Sequence, residues 1–253
     1  NLSNANLRNA DLSNSKLQNT ILTDAILTSA NLSNVILINT VLTNVDLSDA
    51  TLTINDRDYA NLDSNDLSGR NLVGANLLDV DLSGKDLTNA NLTGTYLIGK
   101  DLTGTILRGA DLSSANLAGA DLSGMDLSNA NLTNAILTDA YLSNTDLTNT
   151  ILIGADLSKT DIDNVDLSGK DLTGARLARA DLTNTNLDNV ALSHIDFTGA
   201  RLHGVNLYGS DLSNVNLSYA DLTGADLSNT DLTDAKVFGI NLTRANLSDQ
   251  DLS

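Results

Sequence analysis

Cysteine, proline and tryptophan are missing from the 253 residues, glutamate is missing too, and aromatic residues make up only 3%. Without cysteine there is no disulfide framework and no thiolate metal site. No run approaches the roughly 18 consecutive apolar residues of a membrane span, so no membrane partner is expected. No charged segment followed by an apolar run opens the chain, so no signal peptide is visible and a cytoplasmic location is slightly favoured. With glutamate absent, all 32 acidic residues are aspartate, against 14 lysines and arginines, for a net charge of −18. A chain this acidic has the wrong sign for direct nucleic-acid binding.

What the chain has in abundance is a count of five. From Leu2 to Leu252 every fifth residue is leucine at 47 of 51 positions, the exceptions being Arg57, Ile162, Phe197 and Val237. Such a short, unbroken period reads as a solenoid in which each repeat touches only its neighbours. It suits neither an α-helix, on which residues five apart diverge by about 140°, nor a plain strand, which puts them on opposite faces.

The remaining places of the repeat sort into inside, outside and corner. Two before the leucine, Ala, Ser, Thr or Val occurs in 40 of 50 repeats, so a small side chain is wanted beside each core leucine. Asn or Asp precedes the leucine in 36 of 51 repeats and Ser or Thr follows it in 34, and both places should face water. All 17 glycines and 17 asparagines lie two after the leucine, where a corner calls for left-handed backbone.

The pattern Ala-(Asp/Asn)-Leu-X-X, read in Ala10-Asp11-Leu12-Ser13-Asn14 and again in Ala220-Asp221-Leu222-Thr223-Gly224, resembles the pentapeptide-repeat family over essentially the whole chain. The resemblance implies an all-β fold: a right-handed quadrilateral parallel β-helix with four pentapeptides per coil, roughly 13 coils and about 60 Å long at a strand spacing of about 4.8 Å. It implies a single solenoid over 1–253, no enzymatic activity in the repeat, and no cofactor. A lone coil cannot offset its own ordering entropy, so stability is expected from stacking. Neither Asn1-Leu2-Ser3 nor Asp251-Leu252-Ser253 reads as a cap. The ends are therefore expected to meet a partner copy or to join further sequence.

Departures from the repeat are the candidate functional residues. In Ile54-Asn55-Asp56-Arg57-Asp58-Tyr59 a guanidinium stands where a core leucine belongs, which predicts a bulge or small loop at 54–59 carrying Arg57 and Tyr59. Arg70, Lys85, Lys100 and Lys170 occupy inward small places, each after a glycine. Their stems are expected to lie along the corner and bring the charge to water or to a nearby aspartate.

With 20 residues per coil, Asp66, Asp86, Asp126, Asp146 and Asp166 fall on one side, and Asp81, Asp101, Asp121, Asp161 and Asp181 on the next. Some members of the family it resembles imitate duplex DNA at the DNA-binding saddle of type II topoisomerases. Duplex DNA carries about one charge per 1.7 Å, roughly twice the density of this rod. Another side carries outward apolar residues, Ile36, Ile38, Leu78, Tyr96, Ile98 and Ile136, and Tyr219 and Phe238 fall one coil apart farther along. Such strips mark protein contacts.

The two histidines, His194 and His203, sit two sides apart and cannot converge, so neither a catalytic triad nor a metal site is expected. The sequence thus reads as a non-enzymatic scaffold that binds a protein partner through a side face, or pairs with a second copy through an end or a side face. The alternative is a DNA-mimicking modulator of DNA gyrase.

Overall fold

The computed structural model describes residues 1–33, 35–36, 40–41, 45–47, 50–53, 67–69, 72–73, 77 and 81–249. The expected loop at 54–59, with Arg57 and Tyr59, lies outside the described residues, as do Ile38, Asp66, Arg70 and Leu78. Strand β1 (Asn31–Ser33) pairs in parallel with β2 (Thr51–Thr53), aligning Leu32 with Leu52. Every isolated bridge repeats that offset of 20, as in Asp11 with Asn31, Tyr96 with Asn116 and Asp226 with Asn246. Four pentapeptides therefore make one coil, and the chain is a right-handed quadrilateral β-helix. Among described residues its sides are one-residue bridges more often than extended strands.

Nearly every described corner is a turn closed on the central residue. The amide three residues on returns to its carbonyl, as Ala110 N does to Leu107 O at 3.0 Å and Ala115 N to Leu112 O at 3.0 Å. The third turn residue takes positive φ, +67° at Gly109 and +56° at Ser114, as a type II turn requires. Leucines pointing inward stack into one continuous core, with Leu87, Leu107, Leu127 and Ala110 at 0% exposure. Ile162 and Phe197, two exceptions to leucine, are just as buried. Val237 also fills a central place and is 46% exposed.

We number the sides by their outward residues: first side Asp81, Asp101, Asp121; second Asp86, Ile106, Asp126; third Asn91, Asp111, Asn131; fourth Tyr96, Asn116, Ile136. On the first and fourth sides the bridges run without a break from Asp101 to Asn241 and from Tyr96 to Lys236. On the second and third they do not. No bridge joins residues 106 and 126, 146 and 166, or 186 and 206 on the second side, nor 151 and 171, 171 and 191, or 191 and 211 on the third.

Inward threonines account for most of these open rungs. Thr105, Thr145, Thr150 and Thr185 each send the hydroxyl to a carbonyl of the preceding coil, those of Leu82, Leu122, Leu127 and Ile162, at 2.7–2.9 Å. In each case the rung above that threonine is the open one. Thr95 and Thr160 instead bond within their own turn, to Leu92 and Leu157, and their carbonyls accept the next coil's amides from Asn116 and Asp181. A threonine drawn toward the coil below thus gives up its carbonyl's partner above. The fifth and sixth open rungs lie above Lys170 and Val190, and side-chain size does not explain them, since Lys85, Lys100 and Val205 hold the same place beneath closed rungs.

Amide hydrogen exchange checks this ladder. The amides of Asp126, Asp166, Asp171 and Asn206 are expected to exchange faster than the bridged amides of Asp121, Asp146 and Asp156. Thr145→Ala, which removes the downward hydroxyl bond, is expected to slow exchange at Asp166. Equal rates across these positions would refute the assignment.

Candidate interaction surfaces

Aspartate or asparagine before each leucine is first of all a structural part. Its Oδ1 accepts the amide two residues on, as Asp86 does from Thr88 N at 2.9 Å and Asp126 from Ser128 N at 2.8 Å. Where the following residue is Ser or Thr, its hydroxyl often donates to the same oxygen, as from Thr103 to Asp101 at 2.6 Å. This Asx turn explains both polar preferences of the repeat. It was not legible as a contact in the sequence, which marked these places only as facing water.

The hydroxyl and amide donors hold the carboxyls below the ordinary aspartate range. At Asp101, Asp146 and Asp166 the side-chain hydroxyl is the larger influence and the backbone amide the second. At Asp81 the order is reversed, and Lys100 and Lys85 add to the lowering. Burial pulls Asp181 the other way, but Thr183 and Arg201 outweigh it.

The acidic rows are shorter than they read in sequence. On the second side Asp126 bridges Asp146, but Ile106, 45% exposed, interrupts the run between Asp86 and Asp126. On the first side Tyr141 stands between Asp121 and Asp161, and Arg201 between Asp181 and Asp221. Arg201 lies 3.2 Å from Asp181. Lys85, Lys100 and Lys170 are half-buried, and Lys170 lines a polar surface hollow of about 470 Å³ with Asp146 and Asp166. Burial pushes the Lys170 ammonium down while both carboxylates oppose it. A smaller hollow of about 340 Å³ lies beside Met125. Each hollow lies at an open rung of the second side. Among the described residues no group of three His, Asp, Glu or Cys could hold a metal ion, and no helix is long and apolar enough to cross a membrane.

Exposed apolar residues occur on every side, such as Tyr141 on the first, Ile106 and Tyr208 on the second and Ile151 and Ile153 on the third, and the fourth side carries more of them over residues 81–249. Tyr96, Ile98 and Ile136 are exposed there, at 49%, 45% and 40%, although Asn116 separates the first two from the third, and Ile36 is half-buried farther toward the start. Tyr219 and Phe238 meet edge to face with ring centroids 5.3 Å apart, and both are more than 60% exposed. Tyr219 holds positive φ and lies over Gly239, where an added Cβ would sit 2.9 Å from its Cδ1. Glycine here makes room for a ring.

The sequence reading missed the charge on this side. Over residues 81–249 it carries Lys159, Arg176, Arg179 and Lys236 against Asp139, Asp156 and Asp196, a net of +1. The first, second and third sides carry −4, −5 and −4 over the same residues, from seven acids and three cations, seven and two, and five and one. Summing charge by position modulo 20 would have found it. Lys159 pairs with Asp139 at 3.5 Å and Arg176 with Asp156 at 3.7 Å, each one coil apart.

These features define a non-acidic, partly apolar side on an acidic four-sided solenoid. The family model for pentapeptide repeats matches in overlapping stretches over residues 1–24, 25–53, 60–124 and 126–249, and the chain belongs to that family. No curated protein sequence matches it. Among solved structures, HetL, a pentapeptide repeat protein involved in heterocyst differentiation regulation from Nostoc sp. strain PCC 7120, is 30% identical; the match covers 100% of this chain and 93% of HetL, with a TM-score of 0.41. A pentapeptide repeat protein of the Arabidopsis thaliana thylakoid lumen is 36% identical over 38% of this chain and 63% of its own, at a TM-score of 0.30. QnrB1, a plasmid-mediated fluoroquinolone resistance protein, is 21% identical over 66% of this chain and 85% of its own, at a TM-score of 0.34.

The lowered carboxyls set the acid response. A carboxyl whose folded pKa lies below its unfolded value stabilises the fold fully above the ordinary aspartate value, and that contribution is lost as pH falls through the folded value. The melting temperature is therefore expected to hold from neutral pH down to about 4 and to fall below it. Replacing Asp101, Asp146, Asp166 and Asp221 by Asn keeps each Oδ1 acceptor and is expected to flatten that fall. A melting temperature that rises on acidification would show that repulsion along the rows outweighs the turn bonds.

Proposed function

We propose that the protein is a non-enzymatic interaction scaffold that presents its fourth side to a protein partner. One observation carries this reading: exposed Tyr96, Ile98, Ile136, Tyr219 and Phe238 gather on the one side that is not acidic and whose ladder is unbroken. Burying that side removes apolar surface from water without desolvating a row of carboxylates. The two histidines do not converge on one site. His194 occupies a corner of the third side and His203 an outward place on the first, both exposed.

A second reading, imitation of DNA at DNA gyrase, draws on the aspartates of the first and second sides. Ile106, Tyr141 and Arg201 weigh against it, because they break the charge rows that a phosphate mimic needs continuous.

Replacing Tyr96 and Ile98 together by Ser is expected to abolish retention of the protein partner at least tenfold, with the melting temperature unchanged. Retention equal to wild type would refute the fourth side as the binding surface. In a gyrase supercoiling assay the protein is expected to have no effect at tens of micromolar. Salt-sensitive inhibition or quinolone protection, lost when Asp86, Asp126 and Asp146 become Asn, would put the DNA-mimic reading first.

A further inference from the structure

We infer that the partner of the fourth side is a second copy of this chain, docked face to face and antiparallel. This rests on the reading of that side as a protein contact and adds the occupant and its register. In a face-to-face pair related by a two-fold axis across the rod, residues before the leucine meet residues before the leucine, and those after meet those after. With the axis between the Asp156 and Arg176 coils, residue numbers before the leucine sum to 332 across the interface.

That register matches chemistry at most levels. Asp156 faces Arg176 of the other copy, and the two-fold makes this contact twice, beside the existing pair within each chain at 3.7 Å. Asn116 faces Asn216. Tyr96 faces Lys236, an aromatic face opposite an ammonium. Ile98 faces Phe238, the most exposed large hydrophobic residue among those described, at 70%. At the corner Tyr219, held outward over Gly239, comes opposite Gly119, which has no side chain to oppose it. Two contacts are less favourable. Ile136 faces Asp196, whose Oδ1 is already held by Thr198 N at 3.0 Å, and Lys159 faces Arg179 across the corner, with Lys159 already beside Asp139.

Other registers are worse. Sliding by one coil one way places Asp156 on its own copy. Sliding the other way places Arg176 on its own copy and Asp156 on Asp196. A parallel pair would set Asp156, Arg176 and Asp196 against Ser158, Ala178 and Thr198, burying charges without partners across the interface. None of the other sides offers the same option, since each is net negative over its length.

The fourth side is also suited to the contact by shape, since its rungs from Tyr96 to Lys236 are all closed. Eight coils at about 4.8 Å give a contact about 38 Å long along the rod.

The test is sedimentation velocity of the full chain over a concentration series, with directed crosslinking made simple by the absence of cysteine. Wild type is expected to be dimeric. Arg176→Asp, which sets Asp against Asp156 of the other copy, is expected to raise the dimer dissociation constant at least tenfold. The double variant Asp156→Arg with Arg176→Asp restores opposite charges and is expected to recover the dimer. Circular dichroism melting of each variant separates loss of pairing from loss of fold.

A short bismaleimide is expected to join Asn116→Cys chains to Asn216→Cys chains in a mixture, and to join neither variant to itself. A strict monomer at every concentration overturns the inference, and so does self-crosslinking of Asn116→Cys, which reports a parallel pair. A monomer that still retains a foreign partner through Tyr96 and Ile98 would overturn self-pairing alone. A dimer whose foreign partner ignores those residues would overturn the fourth-side scaffold reading alone.

Discussion

Backbone hydrogen bonding between residues 20 apart is the constraint on which everything else in this molecule depends. It stacks each leucine on the leucine one coil away, so a residue too weakly placed to hold a fold alone becomes part of a continuous column. It also converts sequence position into geography. Because Leu97, Leu117 and Leu137 are held in register, Tyr96, Asn116 and Ile136 form a line on the surface. Exposed residues that look scattered in the sequence become neighbours about 4.8 Å apart.

The same ladder explains why acidity is a poor guide to function here. An aspartate before the leucine is retained by its turn, where it accepts an amide and often a hydroxyl, and asparagine does the same work without charge. Asn131 accepts Thr133 N at 3.0 Å just as Asp111 accepts Ser113 N at 3.0 Å. A large part of the net charge therefore follows from how corners are built. Information about binding lies in the places where the turn residue has been given up, such as Tyr96, Ile136, Arg176 and Lys236. The repeat forgoes an Asx bond at each of them.

Most of the fold could be read from residues alone, because a five-residue period admits few other architectures. The corner places occupied by Gly and Asn, the inward Ala and Thr, and the columns modulo 20 all correspond to observed geometry. Tyr219 and Phe238 were legible as neighbours, and their rings do meet. What escaped were properties that depend on side-chain choice within a fixed backbone. Thr145 and Thr160 occupy equivalent places, yet one hydroxyl reaches the coil below and the other its own turn. The mixed charge of the fourth side escaped because charge was summed over the whole chain and not column by column. The acidic rows looked longer than they are because only their aspartates were read, while Ile106, Tyr141 and Arg201 stand in the same columns.

The distribution of open rungs has a mechanical consequence. A rod tied on all four sides resists bending equally in every direction. One untied at intervals along two adjacent sides is anisotropic, like a tube slotted along one edge. The second and third sides lack a bridge at 106/126, 146/166 and 151/171, although corner bonds such as Gly109 N to Ser128 O and Gly154 N to Thr173 O, both 2.9 Å, still tie neighbouring coils there. If the rod bends, the unbridged middles of the second and third sides are expected to give first, and Tyr219, Lys159 and Arg179 lie on the corner opposite them, between the fourth and first sides.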